Sequence, residues 1–483
     1  MAIAVPSGFA LAVMLRRTDL IGRRILAMAV GSQLVLPLYV FAGSWNAGFG
    51  SQGWWPLAQT LAVRFDLAAF IAVVFIHSAA SIPWVALIVG CGLIWSQRSL
   101  EEAAVTEQGN RGVLFRVLIP VLRPWLALSC LWVCVPILTE MVVTNLYQVP
   151  TVAEQVYLDA SRGTVSAITY PVAVMLCMLP VFVGAVILGR RLPPWSEMIA
   201  RASQHKPRIL ELRGWRTIAS LMCWGFVLVL VGMPIGNLVT KAGWQPYVDS
   251  SDVTRYGWSL GRFIETGRES ISLFLPQFYW SAVLAATSAT VALGLAMLFA
   301  FLAPNGWRKH CVSLLMLVLI GTPGALVGVL CIFLLNRAEP AFLGYLYDQT
   351  LAAPILAQQF RLLPLAWMLS LAVLATIDRR SWELARIDGL SGWQIVWKLM
   401  VPQCGRSWLV AWLVLALVSV GELSTTILVL PPGVTTLSMR LFEMLHFGMR
   451  HQDSGLCLVL IFLGWLAALS AWKTLSDRNT PAS

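Results

Sequence analysis

Residues Ser281–Leu302 read SAVLAATSATVALGLAMLFAFL, a run without a charged side chain. About 20 mainly apolar residues in helical form cross a bilayer. Lipid offers no partner to a backbone N–H or C=O, so such a run spans as a helix or belongs to a closed barrel. Barrel strands alternate apolar and polar residues over roughly ten positions, and this run does not alternate. Val312–Leu335 has the same character. Carried outward along the chain, the criterion predicts spans at 25–43, 68–95, 122–143, 171–189, 217–237, 277–303, 311–335, 359–377, 407–430 and 455–472. The apolar segment 1–15 has no basic residue before it and reads as part of a membrane helix, an eleventh candidate, rather than a cleaved signal. Leu67 to Ile94 is long enough to hold a re-entrant turn near Ser78 to Pro83. The expectation is an all-α integral membrane protein with about 10–11 spanning helices.

Composition points the same way. The chain is 58% hydrophobic and 12% charged, with mean hydropathy +0.76; soluble domains carry about 25% charged residues. A net charge of +11 raises nucleic acid as a partner, but the basic residues form no patch interleaved with aromatics. They punctuate short loops instead. Most of the Lys and Arg fall at 16–24, 98–123, 190–216, 308–309, 379–406 and in the tail. That asymmetry places these loops in the cytoplasm and 44–65, 140–170, 238–275, 337–358 and 431–454 outside. The nine cysteines lie mostly inside apolar runs with no CxxC pair, as small packing residues do. No disulfide, metal site or cofactor is indicated, and His446 and His451, five apart in an outer loop, have no further ligands in sequence.

The two long cytoplasmic loops share a pattern. At an offset of 282 residues Glu101 matches Glu383, Ala103 matches Ala385 and Pro120 matches Pro402. The correspondence continues through Glu140 and Glu422, Thr144 and Thr426, and Pro150 and Pro432. Glu and Pro are rare in membrane segments, so their ungapped agreement predicts an internal duplication, as in many transporters. Within 381–402, Leu390, Trp393, Val396, Trp397 and Met400 fall along one helical stripe. Ser381 can cap a short helix with Glu383 in its first turn. Gly389 permits a sharp turn, and Pro402 starts the next element. Ser99 and Glu102 have capping-box spacing in the first loop. A helix–turn–helix knob facing the cytoplasm is predicted twice.

The stretch Glu383-Leu-Ala-Arg-Ile-Asp-Gly389, nine residues, then Leu399-Met-Val-Pro402 resembles the EAA loop of ABC importer permeases. Leu384 departs from that pattern, as do Leu399 and Val401. The first loop, 99–120, keeps Glu101, Glu102, Ala103 and Pro120 but has Glu107 where the glycine belongs, with Gly109 nearby. Gly421-Glu-Leu-Ser-Thr-Thr-Ile-Leu-Val-Leu-Pro-Pro-Gly433 and Thr18-Asp-Leu-Ile-Gly-Arg-Arg24 resemble the ferric-iron type of fused permease. Relatives of that type carry thiamine, polyamines, phosphonates and other solutes. The resemblance implies two type I transmembrane domains, at 1–200 and 210–476, in a bacterial inner membrane. The first would be shortened at its start, lacking a counterpart of 217–237. It implies two ATPase subunits docked on the loops through Glu383, Ala385, Gly389, Trp393, Trp397, Leu399 and Pro402 and through Glu101, Glu102, Ala103 and Pro120. A periplasmic binding protein would deliver the solute outside. Loss of Glu101 would matter less than loss of Gly389, because the first loop departs further from the pattern.

The chain has no GxxxxGK[ST], so ATP hydrolysis would reside in separate subunits. Glu140 and Glu422, with Thr144 and Thr426 one turn on, are the candidates for a solute path, since a carboxylate at the end of an apolar run needs a cavity, a cap or a partner. An ion-gradient-driven transporter is the rival class and predicts mid-span charge without docking knobs. A membrane-embedded enzyme would need a His or carboxylate constellation that the sequence lacks.

Overall fold

The computed structural model describes residues 1–50, 53–55, 65–162, 169–193, 197, 208–248, 254–303, 306–337, 339–377, 381, 384–385, 387–448 and 450–476. Apart from one antiparallel strand pair it is helical. The first half runs α1 (Ala4–Arg17), α2 (Arg23–Ser32), α3 (Leu38–Phe49), α4 (Phe65–Gly92), α5 (Arg98–Gly112), α6 (Ile119–Thr139), α7 (Val142–Leu146), α8 (Val152–Ser161) and α9 (Thr169–Gly189). A connecting unit follows, with α10 (Arg216–Val227), α11 (Met233–Gly243), strands β1 (Trp244–Val248) and β2 (Thr254–Trp258), and α12 (Leu260–Ser272). The second half runs α13 (Leu275–Leu302), α14 (Gly306–Gly321), α15 (Gly324–Leu335), α16 (Ala341–Gln349), α17 (Ala352–Leu374), α18 (Gly392–Ile395), α19 (Val401–Gly421), α20 (Leu437–His446) and α21 (His451–Ser476).

Among the described residues seven helices are long and apolar enough to cross a membrane, or nine if two sharply bent pairs each count once. The all-α membrane class holds; the span boundaries differ in four places. The expected span 25–43 breaks between Val35 and Leu38 with a bend of 108°, and 311–335 breaks between Gly321 and Gly324 with a bend of 104°. Pro37 and Pro323 sit at those breaks with extended backbone, ψ 142° and 140°. Proline removes a donor and pushes the preceding residue out of helical geometry. The expected spans 122–143 and 407–430 stop at Thr139 and Gly421, where Glu140 and Glu422 turn extended. The re-entrant turn near Ser78 to Pro83 is absent, because α4 runs through Pro83 as one helix. The helix at 1–15 is real but only 14 residues long.

Close packing follows from small side chains. On α13 the buried positions Ser281, Ala285, Ser288, Ala289, Ala292, Ala296 and Ala300 form a stripe that lets α17 and α19 approach, the usual route to helix association in lipid. Leu362, Leu363, Ala366, Trp367 and Leu415 fill the resulting core. Element boundaries recur 282 residues apart: α6 and α19 start and end in step, α4 and α17 end in step, and α9 and α21 start in step. Each of α6 and α19 follows a π-helical turn, at Val113–Leu118 and Val396–Met400.

The connecting unit is pinned to the first half. Leu210 N–H donates to the Arg17 carbonyl at 2.6 Å, Ile21 N–H donates to Ser220 Oγ, and Asp19 accepts from Leu212 N–H and pairs with Arg216 at 3.4 Å.

Candidate functional site

Two regions carry the candidate residues: the paired loops at one end of the bundle and a polar cluster deep within it. In the first loop α5 is interrupted at Gly109, whose φ of 65° and ψ of −157° lie outside helical geometry. That glycine is displaced in sequence yet supplies the turn. In the second loop Gly389 has φ 71° and is exposed, with open space around the position a Cβ would occupy. The preceding turn closes through Asp388 N–H to the Leu384 carbonyl and Leu390 N–H to the Ala385 carbonyl. The following helix starts with a capping box. Ser391 N–H donates to Gln394 Oε1 at 2.9 Å, and Gln394 N–H donates to Ser391 Oγ at 3.4 Å. The expected box at Ser99 and Glu102 does not form. Gln97 precedes the helix without a side-chain cap, and Glu102 pairs with Arg98 at 2.8 Å.

Burial divides the predicted loop residues. Glu102, Ala103, Pro120, Gly389 and Pro402 are exposed. Ala385 and Met400 are buried with Ile395 against Val373, Ile377, Cys404 and Trp408, and Leu390 and Val396 pack on them. Leu390, Val396 and Met400 of the predicted stripe therefore face the bundle, with a π-helical turn at 396–400. The side chains of Trp393, Trp397 and Leu399, and all of Glu383, lie outside the described residues. Among the described residues, the large apolar side chains the loops expose are Leu384 and Ile387 in the second and Leu100 and Phe115 in the first. Leu384 was visible in sequence as a departure from the loop pattern.

Glu101 is not on the surface. It forms an ion pair of 3.0 Å with Arg17, each side chain 1% exposed. Ser96 Oγ also donates to it, and Arg17 donates to the Leu93 carbonyl. The carboxylate ties the first loop to the end of α1.

In the interior, Glu140 and Glu422 occupy equivalent C-terminal positions on α6 and α19, with φ/ψ of −84°/137° and −85°/122°. Each carboxylate caps its own turn: Glu140 accepts from Val143 N–H at 3.0 Å, Glu422 from Thr425 N–H at 3.0 Å and Ser424 Oγ at 2.7 Å. Thr144 and Thr426 are buried and bond the carbonyls of Met141 and Leu423. The helices that lead to Glu140 and Glu422 end before these threonines, so each threonine lies in the turn that follows rather than one helical turn further on.

The structure adds partners the sequence reading passed over. His77, on α4, stands 3.5 Å from Glu140. Arg361, half-buried on α17, is within electrostatic reach of Glu422 and, more weakly, of Glu140. It donates to the Ile320 carbonyl at the end of α14, where helix carbonyls lack partners and the dipole favours a cation. Glu422 also borders a polar crevice with Gln358, Ser281, Ser419, Thr436 and Ser438. Arg361 lies thirteen residues from the end of α17, about 20 Å at helical rise, well inside a hydrocarbon core of about 30 Å. Ionisable groups at such depth are costly and mark function; His77, well inside the expected span 68–95, was legible on that ground, whereas Arg361 stood at the edge of the expected span 359–377 and gains its depth from the earlier helix start at Ala352. Replacing Arg361 by Met leaves the chain inserted but strips a charge-assisted hydrogen bond worth about 1.5–3 kcal/mol. Thermal stability of the purified protein is expected to fall accordingly, with Arg361→Lys intermediate.

Long apolar helices, two sharp proline breaks and a deep polar cluster define a multi-pass α-helical membrane protein. Residues 292–479 match the family of binding-protein-dependent transport system inner membrane components, which supports a permease of the binding-protein-dependent ABC class. The matched region holds the Gly389 loop, Arg361 and Glu422, whereas the first loop, His77 and Glu140 lie before it. A comparison with curated proteins gives no match.

Proposed function

We propose that the chain is the permease subunit of an ATP-driven importer, with two transmembrane halves, 1–200 and 210–476, duplicated within one polypeptide. The observation that carries this reading is the family match over 292–479, which contains an exposed turn at Gly389 followed by a short helix. Boundaries recurring 282 residues apart and the corresponding turn at Gly109 support the duplication. One ATPase subunit docks on each loop. In the second it meets Leu384, Ile387, Gly389 and Pro402, with Glu383, Ala385, Trp393, Trp397 and Leu399 completing or supporting the knob. In the first it meets Glu102, Ala103 and Pro120, while Glu101 acts from inside by anchoring the loop to α1. ATP-driven closure of the ATPases draws the loops together and reorients the halves around Glu140, Glu422 and Arg361. A binding protein delivers the solute from the outer side of a bacterial inner membrane. Ferric iron is the solute suggested by resemblance to the fused permeases of that type; thiamine, polyamines and phosphonates are the alternatives.

The test is composition and topology together. Native mass spectrometry of the purified transporter is expected to give one copy of this chain with two ATPase subunits; two copies of the chain would contradict the duplication. A cysteine introduced at position 390 should react only with reagents that reach the cytoplasm. Labelling from outside would overturn the orientation.

One observation favours a second reading. His77 and Arg361 place ionisable groups within spanning helices, next to the helix-end carboxylates Glu140 and Glu422, as an ion-gradient-driven transporter requires. The energy source for uptake separates the two.

A further inference from the structure

Helix α12 divides its surface into three sectors. At 100° per residue, Leu260, Ile264 and Ile271 fall within about 40° of arc, and all three are exposed. Roughly opposite lie Arg262, Glu265 and Glu269, joined by ion pairs of 2.9 and 3.8 Å. The third sector faces the protein: Thr266 and Ser270 are fully buried and contact Gly455 of α21 so closely that a Cβ there would lie 2.4 Å from Ser270 Oγ. Thr266 Oγ donates to the Ala242 carbonyl and Ser270 Oγ to the Gln452 carbonyl. These bonds fix α12 at the last turn of α11 and the first turn of α21, the ends of two spanning helices, and therefore at the depth of a membrane interface.

A helix wholly in water would not expose a continuous apolar stripe beside a charged one, and a helix wholly in lipid would not keep the Arg262 cluster. The occupant of the stripe follows from continuity. Through exposed Leu273 the chain passes straight into α13, whose exposed Leu275, Tyr279, Val291 and Leu298 continue the apolar surface along a span. Tyr247, Tyr256 and Trp258 on the adjoining strands are also exposed, and amphipathic aromatics gather at lipid headgroup level. Arg268 borders the stripe on α12 and is exposed, placed for a headgroup phosphate.

We propose that α12 is an interfacial helix whose Leu260–Ile264–Ile271 face lies in the outer leaflet of the bilayer, with its Arg262–Glu265–Glu269 face in water. This rests on the spanning fold and, for the choice of leaflet, on the proposed orientation, and not on the energy source. The test is site-specific photo-crosslinking in the intact chain, with p-benzoylphenylalanine placed singly at 264, 271, 265 and 269. The protein is reconstituted in vesicles of phosphatidylethanolamine and phosphatidylglycerol. The expected result is phospholipid adducts at 264 and 271 several-fold more abundant than at 265 and 269. Equal yields at all four positions would overturn the proposal. So would an adduct at 264, formed in native membranes, to a soluble outer protein rather than to lipid, which would make the stripe a protein-docking face. Comparing four positions on one helix separates a misfolded variant, which loses the contrast at its own site, from a wrong assignment, which loses it at both apolar sites.

Discussion

Glu101→Ala should destabilise the protein more than any other single change in either loop. It removes one partner of an ion pair whose side chains are both 1% exposed, leaving Arg17 charged and buried. Breaking such a pair costs about 3–5 kcal/mol, a large share of the 5–15 kcal/mol that holds a typical domain. The expected outcome is a marked drop in folded, membrane-inserted protein and in thermal stability of the purified transporter. The double variant Arg17→Met with Glu101→Leu should recover most of the loss, because an apolar pair of similar volume is often neutral or stabilising. Wild-type stability of Glu101→Ala would contradict a buried anchor. The loop pattern predicts a milder loss of coupling from Glu101→Ala than from Gly389→Val; the buried ion pair adds a stability cost that the pattern does not show. The pattern records which residue type is present; the burial that sets the effect depends on Arg17, 84 positions away.

Gly389→Val should separate folding from coupling. Gly389 is exposed with nothing near its Cβ direction, so the substitution creates no clash in the core. The penalty is conformational: at φ 71° a β-branched residue is a genuine outlier, costing about 1–2 kcal/mol or more. The turn relieves this by shifting, which moves the Ser391–Gln394 cap and the helix behind it. Normal membrane insertion is expected, with uptake and ATPase co-purification both strongly reduced. Normal uptake would remove the docking role from this loop.

The class of fold was legible because an uncharged run such as Ser281–Leu302 has few physical solutions. The exact spans were not, because hydropathy does not sense backbone. Pro37 and Pro323 break their helices, while Pro83, Pro124, Pro136, Pro180 and Pro364 sit inside theirs. Neighbouring helices can satisfy the carbonyls that a proline frees, so the outcome depends on tertiary partners. At one break the partner is visible, since a Cβ on Gly421 would lie 2.9 Å from Pro37. The loop turns were readable from glycine, including the displaced Gly109. The inward face of Leu390, Val396 and Met400 was not, because an apolar stripe does not say which surface covers it. Glu140 and Glu422 were legible as carboxylates at the ends of apolar runs. Their role as turn caps, and the presence of His77 and Arg361 beside them, required the fold to bring four helices together.

The central claim is that uptake is driven by ATP through separate subunits docked on this chain. Its most direct test is solute uptake into proteoliposomes holding the purified chain, its ATPase subunits and the binding protein. Uptake should require ATP inside the vesicles and the binding protein outside, and should persist when proton and sodium gradients are collapsed. Uptake that proceeds without ATP and stops when those gradients are collapsed would contradict it.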